Sequence, residues 1–229
     1  MTTIVSRLQV TRARIADAAR AAGRDPGSVR LVAVSKSFAP DAVRAAHAAG
    51  QSDFGENYLQ EALEKMAALA GLPLTWHFIG PIQSNKTRPI AEHFAWVQSV
   101  DRAKIAERLS EARPPLLPPL QVCIQVNVSG EASKSGIAPV EAPALARHVA
   151  ALPGLRLRGL MAIPRPTQDA TEQRAQFRVL RRLLQDLNAS GMGLDTLSMG
   201  MSDDLEAAVA EGATMVRIGT AIFGKRRNA

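Results

Sequence analysis

Short apolar runs alternate with helical periods from one end of the chain to the other. This alternation restricts the possible folds more than any other property of the sequence. A helical segment over residues 3–22 closes at Gly23, and Pro26-Gly27 marks a turn. LVAVS (31–35) reads as a buried strand ending at Lys36, and Pro40 opens a helix that Gly50 stops. SDFGE leads into a helix over 57–70, TWHFIG into one from Ser84, and AWVQSV into one that Asp101 caps. RPPLLPP (113–119) is a rigid connection into LQVCIQVNV, which reads as the longest strand. The polar loop SGEASKSG and a helix from near Pro139 follow. LRLRGLMAI precedes a helix over 168–189, LDTLS precedes one that Ser202 caps and Gly212 ends, and TMVRIG is the last strand.

Eight strand-then-helix units thus follow one extra N-terminal helix. Every return from strand to strand passes through a helix, so neighbouring strands are expected to be parallel. The 229 residues match the roughly 200–250 of a single closed (β/α)8 barrel. A doubly wound open sheet carries its phosphate loop at the first strand, and LVAVSKSFAP has no glycine-rich turn there. No linker divides the chain, so residues 1–229 read as one domain.

No apolar run reaches the ~20 residues of a membrane span. The opening residues lack the apolar block of a signal peptide and read as a mature amphipathic helix. The single cysteine, Cys123, excludes an intrachain disulfide and sits in a strand pattern, where a buried inert thiol is expected. A reducing cytoplasm fits these features. The net charge of +7 raises nucleic acid as a partner. Its basic residues (Arg12, Arg14, Arg20; Arg174, Arg178, Arg181, Arg182) are interleaved with acids and read as solvated helix faces, and no stacking motif accompanies them. No nucleic-acid or membrane partner is expected. No His, Cys, Asp or Glu cluster has metal-ligand spacing.

In such a barrel the site lies at the carboxyl ends of the strands, with phosphates favoured after strands 7 and 8. Strand 1 delivers Lys36 there. Strand 7 delivers Ser198, followed by Met199, Gly200, Met201 and Ser202; strand 8 delivers Arg217, followed by Gly219 and Thr220. Glycine turns expose backbone N–H groups to an anion, and the hydroxyls add donors. By period-2 alternation Lys36 shares a face with Val34 and Val32, and Arg217 with Met215 and Gly219. If those faces point inward, the two cations meet, the lysine's charged form is disfavoured, and its neutral amine is suited to attack an aldehyde. A solvated loop lysine is an equally good reading of Lys36 by spacing alone, and an ordinary strand-to-helix turn is one of 198–202. Asn57 is either a ligand for a hydroxyl or a helix cap. Ser84, Asn85 and Lys86 form a possible anion site, Lys134 reads as exposed, and His77 as a satisfied core histidine. Asp203 and Asp204 read as first-turn acids that favour the helix dipole.

AVSKSF, FGENYLQE, WHFIGPIQSNKTR, SVDR, QVNVSGEASKSG, LRGLMAIP and LSMGMSDDLEAAVAEGATMVRIGTAIFG together resemble the pyridoxal phosphate homeostasis protein family, over about residues 30–224. The resemblance implies a barrel like that of bacterial alanine racemases, with pyridoxal 5′-phosphate held as a Schiff base on Lys36. It implies phosphate turns at Ser198, Met199, Gly200, Gly219 and Thr220, Arg217 facing the pyridine nitrogen, and Asn57 near the ring hydroxyl. Phe38 departs from relatives that carry a lysine there, which puts in doubt a transfer role for that position but not binding. The implied function is intracellular storage, carriage or delivery of the cofactor by a monomer making transient contacts with apo-enzymes, without catalytic turnover. In the resembling racemases a second base comes from an additional domain, and this chain, ending five residues after Gly224, is expected to lack it. A racemase-like enzyme, a Schiff-base aldolase acting on a sugar phosphate, and a basic interaction protein are the alternatives.

Overall fold

The computed structural model describes residues 3–131 and 134–224. Part of the SGEASKSG loop and the tail Lys225-Arg226-Arg227 lie outside the described residues. Eight parallel strands close into one barrel in chain order. The extra helix α1 (Ile4–Ala21) precedes β1 (Arg30–Val34), and the repeat then runs α2 (Pro40–Ala48), β2 (Asp53–Glu56), α3 (Leu59–Ala68), β3 (Thr75–Phe78) and α4 (Thr87–His93). It continues with β4 (Trp96–Val100), α5 (Ala103–Ala112), β5 (Leu120–Gln125), α6 (Ala142–Ala150), β6 (Leu155–Met161) and α7 (Ala170–Ala189). β7 (Thr196–Ser198), α8 (Leu205–Ala210), β8 (Met215–Ile218) and α9 (Thr220–Phe223) complete it. This is the expected (β/α)8 barrel with its added N-terminal helix.

Strand alternation divides the core into two shells. Leu31 and Ala33 join the large outer cluster between strands and helices, and α7 contributes Phe177, Leu180, Leu183 and Leu187 to it at helical spacing. Val32, Trp96, Cys123, Met161 and Met215 form a small inner cluster inside the barrel. Cys123 is the expected buried thiol, and burial pushes its pKa up to about 12. Among the described residues no helix is long and apolar enough to cross a membrane, and no group of three His, Cys, Asp or Glu is placed to hold a metal.

Several local expectations are corrected. β6, with seven residues, is longer than β5, with six, because the chain after Gln125 leaves the ladder and only Val126 still bridges, to Ile137. Arg102, not Asp101, is the N-cap of α5, and the Asp101 carboxylate instead bonds Arg102. Asp204, not Ser202, is the N-cap of α8, and its Oδ1 accepts from the Met201 N–H; Asp203 and Asp204 therefore precede the first turn. Arg20 and Arg182 are exposed as expected, but other arginines of these helices are engaged by distant partners. Arg174, Arg178 and Arg181, at i, i+4 and i+7, converge on the buried carboxylate of Glu211. Arg12 donates to the carbonyls of Ala49 and Gly50, stopping α2 against α1.

Candidate functional site

At the carboxyl ends of the strands lies a cavity of about 560 Å³, within the size range of small-molecule sites. Lys36 and Val34 come to it from the end of β1, Asn57 and Ile79 from the turns after β2 and β3, and Ile163 from beyond β6. Met201 and Ser202 follow β7, while Arg217, Gly219 and Thr220 come from β8 and the turn after it. Residues more than 180 positions apart thus share one wall because β1 pairs with β8, placing Val32 beside Arg217. Lys36 and Arg217 both reach the cavity, so the condition on which the two cations meet is fulfilled.

The backbone on either side of Lys36 is gripped. The buried ammonium of Lys65, in α3, donates to the Ser35 carbonyl at 2.6 Å, to Glu56 at 2.7 Å and to Glu61 at 2.5 Å. Ser35 Oγ donates to the same Glu56 oxygen at 2.6 Å, and the Ser37 N–H donates to Glu61 at 2.6 Å. Ser37 has φ 66°, left-handed for a non-glycine residue, a conformation that persists only where neighbours over-determine it. Burial pushes the Glu56 carboxyl above its ordinary range, with the Lys65 ammonium acting against it.

Arg217 is buried, and burial lowers its pKa to about 10, so its guanidinium stays protonated at neutral pH. It donates to Ser198 Oγ at 2.7 Å and to the Ala162 carbonyl at 2.9 Å. Asn57 is half-buried at the cavity wall, and its Oδ1 is buried with no hydrogen-bond partner. An orphaned acceptor on a residue that lines the cavity fits a ligand that brings a hydroxyl or N–H. Asn57 is not the cap of α3, since Tyr58 precedes its first residue. Gly80 packs directly against the Asn57 backbone, where a side chain has no room.

Lys36, Asn57, Arg217, Gly219 and Thr220 are brought together as expected; Ser198, Met199 and Gly200 are not among the lining residues. Ser198 faces the barrel interior, the Met199 side chain enters the outer core, and the Met199 N–H is already given to the Met215 carbonyl. Gly200, at φ 97° and with Ala208 Cβ only 2.6 Å from where its own would stand, turns the chain so that Met201 and Ser202 reach the cavity. Lys86 is exposed, Lys134 pairs with Glu131 at 4.0 Å, and neither lines the cavity. Phe38 packs on Phe223 with ring centroids 5.1 Å apart, an apolar contact.

Sequence reasoning missed Arg14 and Lys65. Arg14 crosses from α1, donates to the Ser202 carbonyl at 2.7 Å and pairs with Glu206 at 2.5 Å, tying the extra helix to a turn of the cavity. The sequence signal for Lys65 was a lysine four residues after Glu61, indistinguishable from a surface pair.

A closed barrel with an inward lysine ending its first strand and an inward arginine on its last defines the class of the alanine racemase barrel. The family model described as Alanine racemase, N-terminal domain matches residues 7–227. The chain belongs to that family and, within it, to the pyridoxal phosphate homeostasis proteins. A protein of that name from Pseudomonas aeruginosa is 70% identical over 99% of this chain and 97% of its own. PipY of Synechococcus elongatus, solved with PLP bound, is 40% identical with a TM-score of 0.85, covering 97% of this chain and 100% of its own. Alanine racemase from Corynebacterium glutamicum, at 19% identity and a TM-score of 0.72, shares the fold across 99% of this chain and 62% of its own.

Proposed function

We propose that the protein holds pyridoxal 5′-phosphate as a Schiff base on Lys36 and keeps the cofactor available inside the cell, storing, carrying or delivering it without turning over a substrate. One observation carries this reading: an inward lysine, an orphaned amide oxygen, a buried arginine and two small turns converge on a single cavity. That PipY is solved with PLP bound supports it.

The cofactor, when bound, supplies an aldehyde, a phosphate and an electron-withdrawing pyridine ring. The Lys36 amine would hold the aldehyde carbon, condensing with it to release water, and the grip on Ser35 and Ser37 holds the Lys36 backbone at the cavity wall. Asn57 Oδ1, which has no partner, would accept from the ring hydroxyl. Ser202, Gly219 and Thr220, which line the cavity, would hold the phosphate, since the Ser198 hydroxyl and Met199 amide are already committed. Arg217 takes the ring nitrogen.

Arginine only donates, so the nitrogen it faces is held without a proton, and the ring is a weaker electron sink than one beside a carboxylate. Tyr58, the only tyrosine, is 53% exposed and does not line the cavity, so it offers no phenol base opposite Lys36. A racemase overcomes a weak electron sink with two bases, so it is the lack of a phenol base opposite Lys36 that supports a holder rather than a racemase. A cytoplasmic monomer that meets apo-enzymes transiently fits this role. The test is α-hydrogen exchange: the cofactor-loaded protein is mixed with common amino acids in deuterated water. Exchange near the rate of free cofactor is expected, and rapid exchange or racemisation of any amino acid would establish an enzyme instead.

A further inference from the structure

A column of polar side chains runs through the interior of the barrel, from the floor to the cavity, beside an apolar cluster. Arg217 Nη1 donates to Ser198 Oγ at 2.7 Å. Ser198 Oγ donates to Gln98 Oε1 at 2.6 Å. Gln98 Nε2 reaches His77 Nδ1 at 3.0 Å, and His77 Nε2 reaches Asp53 Oδ1 at 2.9 Å. Ser198, Gln98 and His77 are fully buried, and Asp53 sits at the lower rim, 3.8 Å from Arg30.

Each link fixes the next. A guanidinium has no acceptor, so the Ser198 hydroxyl must accept from Arg217 and send its own hydrogen onward. The atom it meets must then be the oxygen of the Gln98 amide, which turns the NH₂ toward His77. His77 Nδ1 is therefore the acceptor, its proton sits on Nε2, and Nε2–H donates to Asp53. The tautomer follows from the network. The His77 ring is stacked on Trp96, with centroids 5.4 Å apart and planes 16° apart, and cannot swing away. The surrounding interior shows that apolar residues fill this barrel readily: Val32, Cys123, Met161 and Met215 do so. A polar column costs stability wherever a link is unmade, and this one is complete and ends on the cavity's arginine.

We propose that Gln98 and His77, which do not line the cavity, are positioning residues for Arg217, acting through Ser198 in a one-directional chain of hydrogen bonds. The proposal rests on the cofactor reading, in which Arg217 meets the ring nitrogen. The chain holds the guanidinium at a fixed place, so that its remaining N–H donors meet that nitrogen.

The test compares pyridoxal 5′-phosphate with its 1-deaza analogue, which carries C–H in place of the ring nitrogen and keeps the aldehyde, hydroxyl and phosphate. Gln98→Met breaks both links at similar side-chain size. It is expected to weaken pyridoxal phosphate at least about tenfold, the scale of one charge-assisted hydrogen bond, and to leave the deaza analogue within about twofold. Gln98→Glu keeps an acceptor for Ser198 and a partner for a doubly protonated His77, and is expected to retain the preference for the ring nitrogen. If Gln98→Met does not fold, Ser198→Ala makes the same comparison. Equal weakening of both ligands, no weakening of either, or the same behaviour from Gln98→Met and Gln98→Glu would overturn the positioning role. In those cases the unsubstituted protein still binds pyridoxal phosphate and the proposed function stands. Failure of the unsubstituted protein to bind it would overturn both.

Discussion

The ammonium of Lys65 donates to the backbone carbonyl of Ser35 at 2.6 Å, so a buried side chain of α3 fixes the residue immediately before Lys36. The same ammonium meets Glu56 and Glu61, and Glu61 in turn holds the Ser37 N–H. The anchor of Lys36 is thus built from outside its own strand.

Lys65→Met leaves Glu56 buried beside no cation. Breaking a buried pair from one side costs about 3–5 kcal/mol, and a Tm loss on the order of 10 °C is expected. Adding Glu56→Gln removes the stranded charge and should restore most of that loss. The double variant should still form its Schiff base more slowly than the unsubstituted protein, because the Ser35 carbonyl is no longer held. Thermal melts and stopped-flow absorbance check this; an equal rate in the double variant would contradict the anchoring role.

Glu211 is buried and faces Arg174, Arg178 and Arg181 on α7. Burial favours its neutral form, but the three arginines outweigh it and hold its pKa below the ordinary 4.5. The carboxylate therefore contributes stability above pH 4.5 that is lost as pH falls through the folded value. The arginines are partly exposed, so screening limits the effect. Glu211→Gln should cost about 2 kcal/mol at pH 7 and less at pH 4, read by denaturant melts.

His77 behaves differently on acidification. Burial lowers its pKa below 6.5, with the Asp53 contact opposing this and Arg30 reinforcing it. Its neutral form therefore contributes stability above pH 6.5 that is lost as pH falls from 6.5 toward the folded pKa. Between those values the unfolded chain binds the extra proton, with a slope of at most about 1.4 kcal/mol per pH unit. Asp53 is held below 3.8 and adds its own loss only in stronger acid. The stability difference between the unsubstituted protein and His77→Gln, measured without cofactor from pH 8 to 5, should shrink on acidification below about 6.5. A difference independent of pH would contradict a buried neutral His77.

The barrel was legible because its strands and helices alternate with clean periods; strand alternation also showed which neighbours share a face with Lys36 and with Arg217, but not that those faces point inward, which the closed barrel decides. The same rule, applied to β7, turns Ser198 inward, away from the phosphate role first expected and onto Gln98. Lys65 was not legible, because its burial comes from Ser35 and Glu56, which only the packing of α3 on β1 and β2 brings near. Arg14 and the α7 arginines read as solvent-facing because their partners, Ser202, Glu206 and Glu211, lie far away in sequence. Helix caps at 101 and 202 were misplaced because the helices start one and two positions later, after Arg102 and Asp204, neither of which makes a side-chain cap hydrogen bond that a sequence signal would mark.

Pyridoxal without its phosphate should bind far more weakly than pyridoxal phosphate, as the turns at 201–202 and 219–220 lose their ligand. Each charge-assisted bond contributes about 1.5–3 kcal/mol, so a loss of at least a hundredfold is expected in absorbance titrations. Equal affinity for the two would remove the phosphate from these turns.

The most direct test of the account is borohydride reduction of the unsubstituted protein loaded with pyridoxal 5′-phosphate, followed by peptide mapping. One equivalent of reduced adduct on the peptide containing Lys36, with loss of the visible band, is the predicted result. No adduct, or an adduct mainly on Lys65, Lys86 or Lys134 instead, would contradict the assignment of Lys36 as the residue that holds the cofactor.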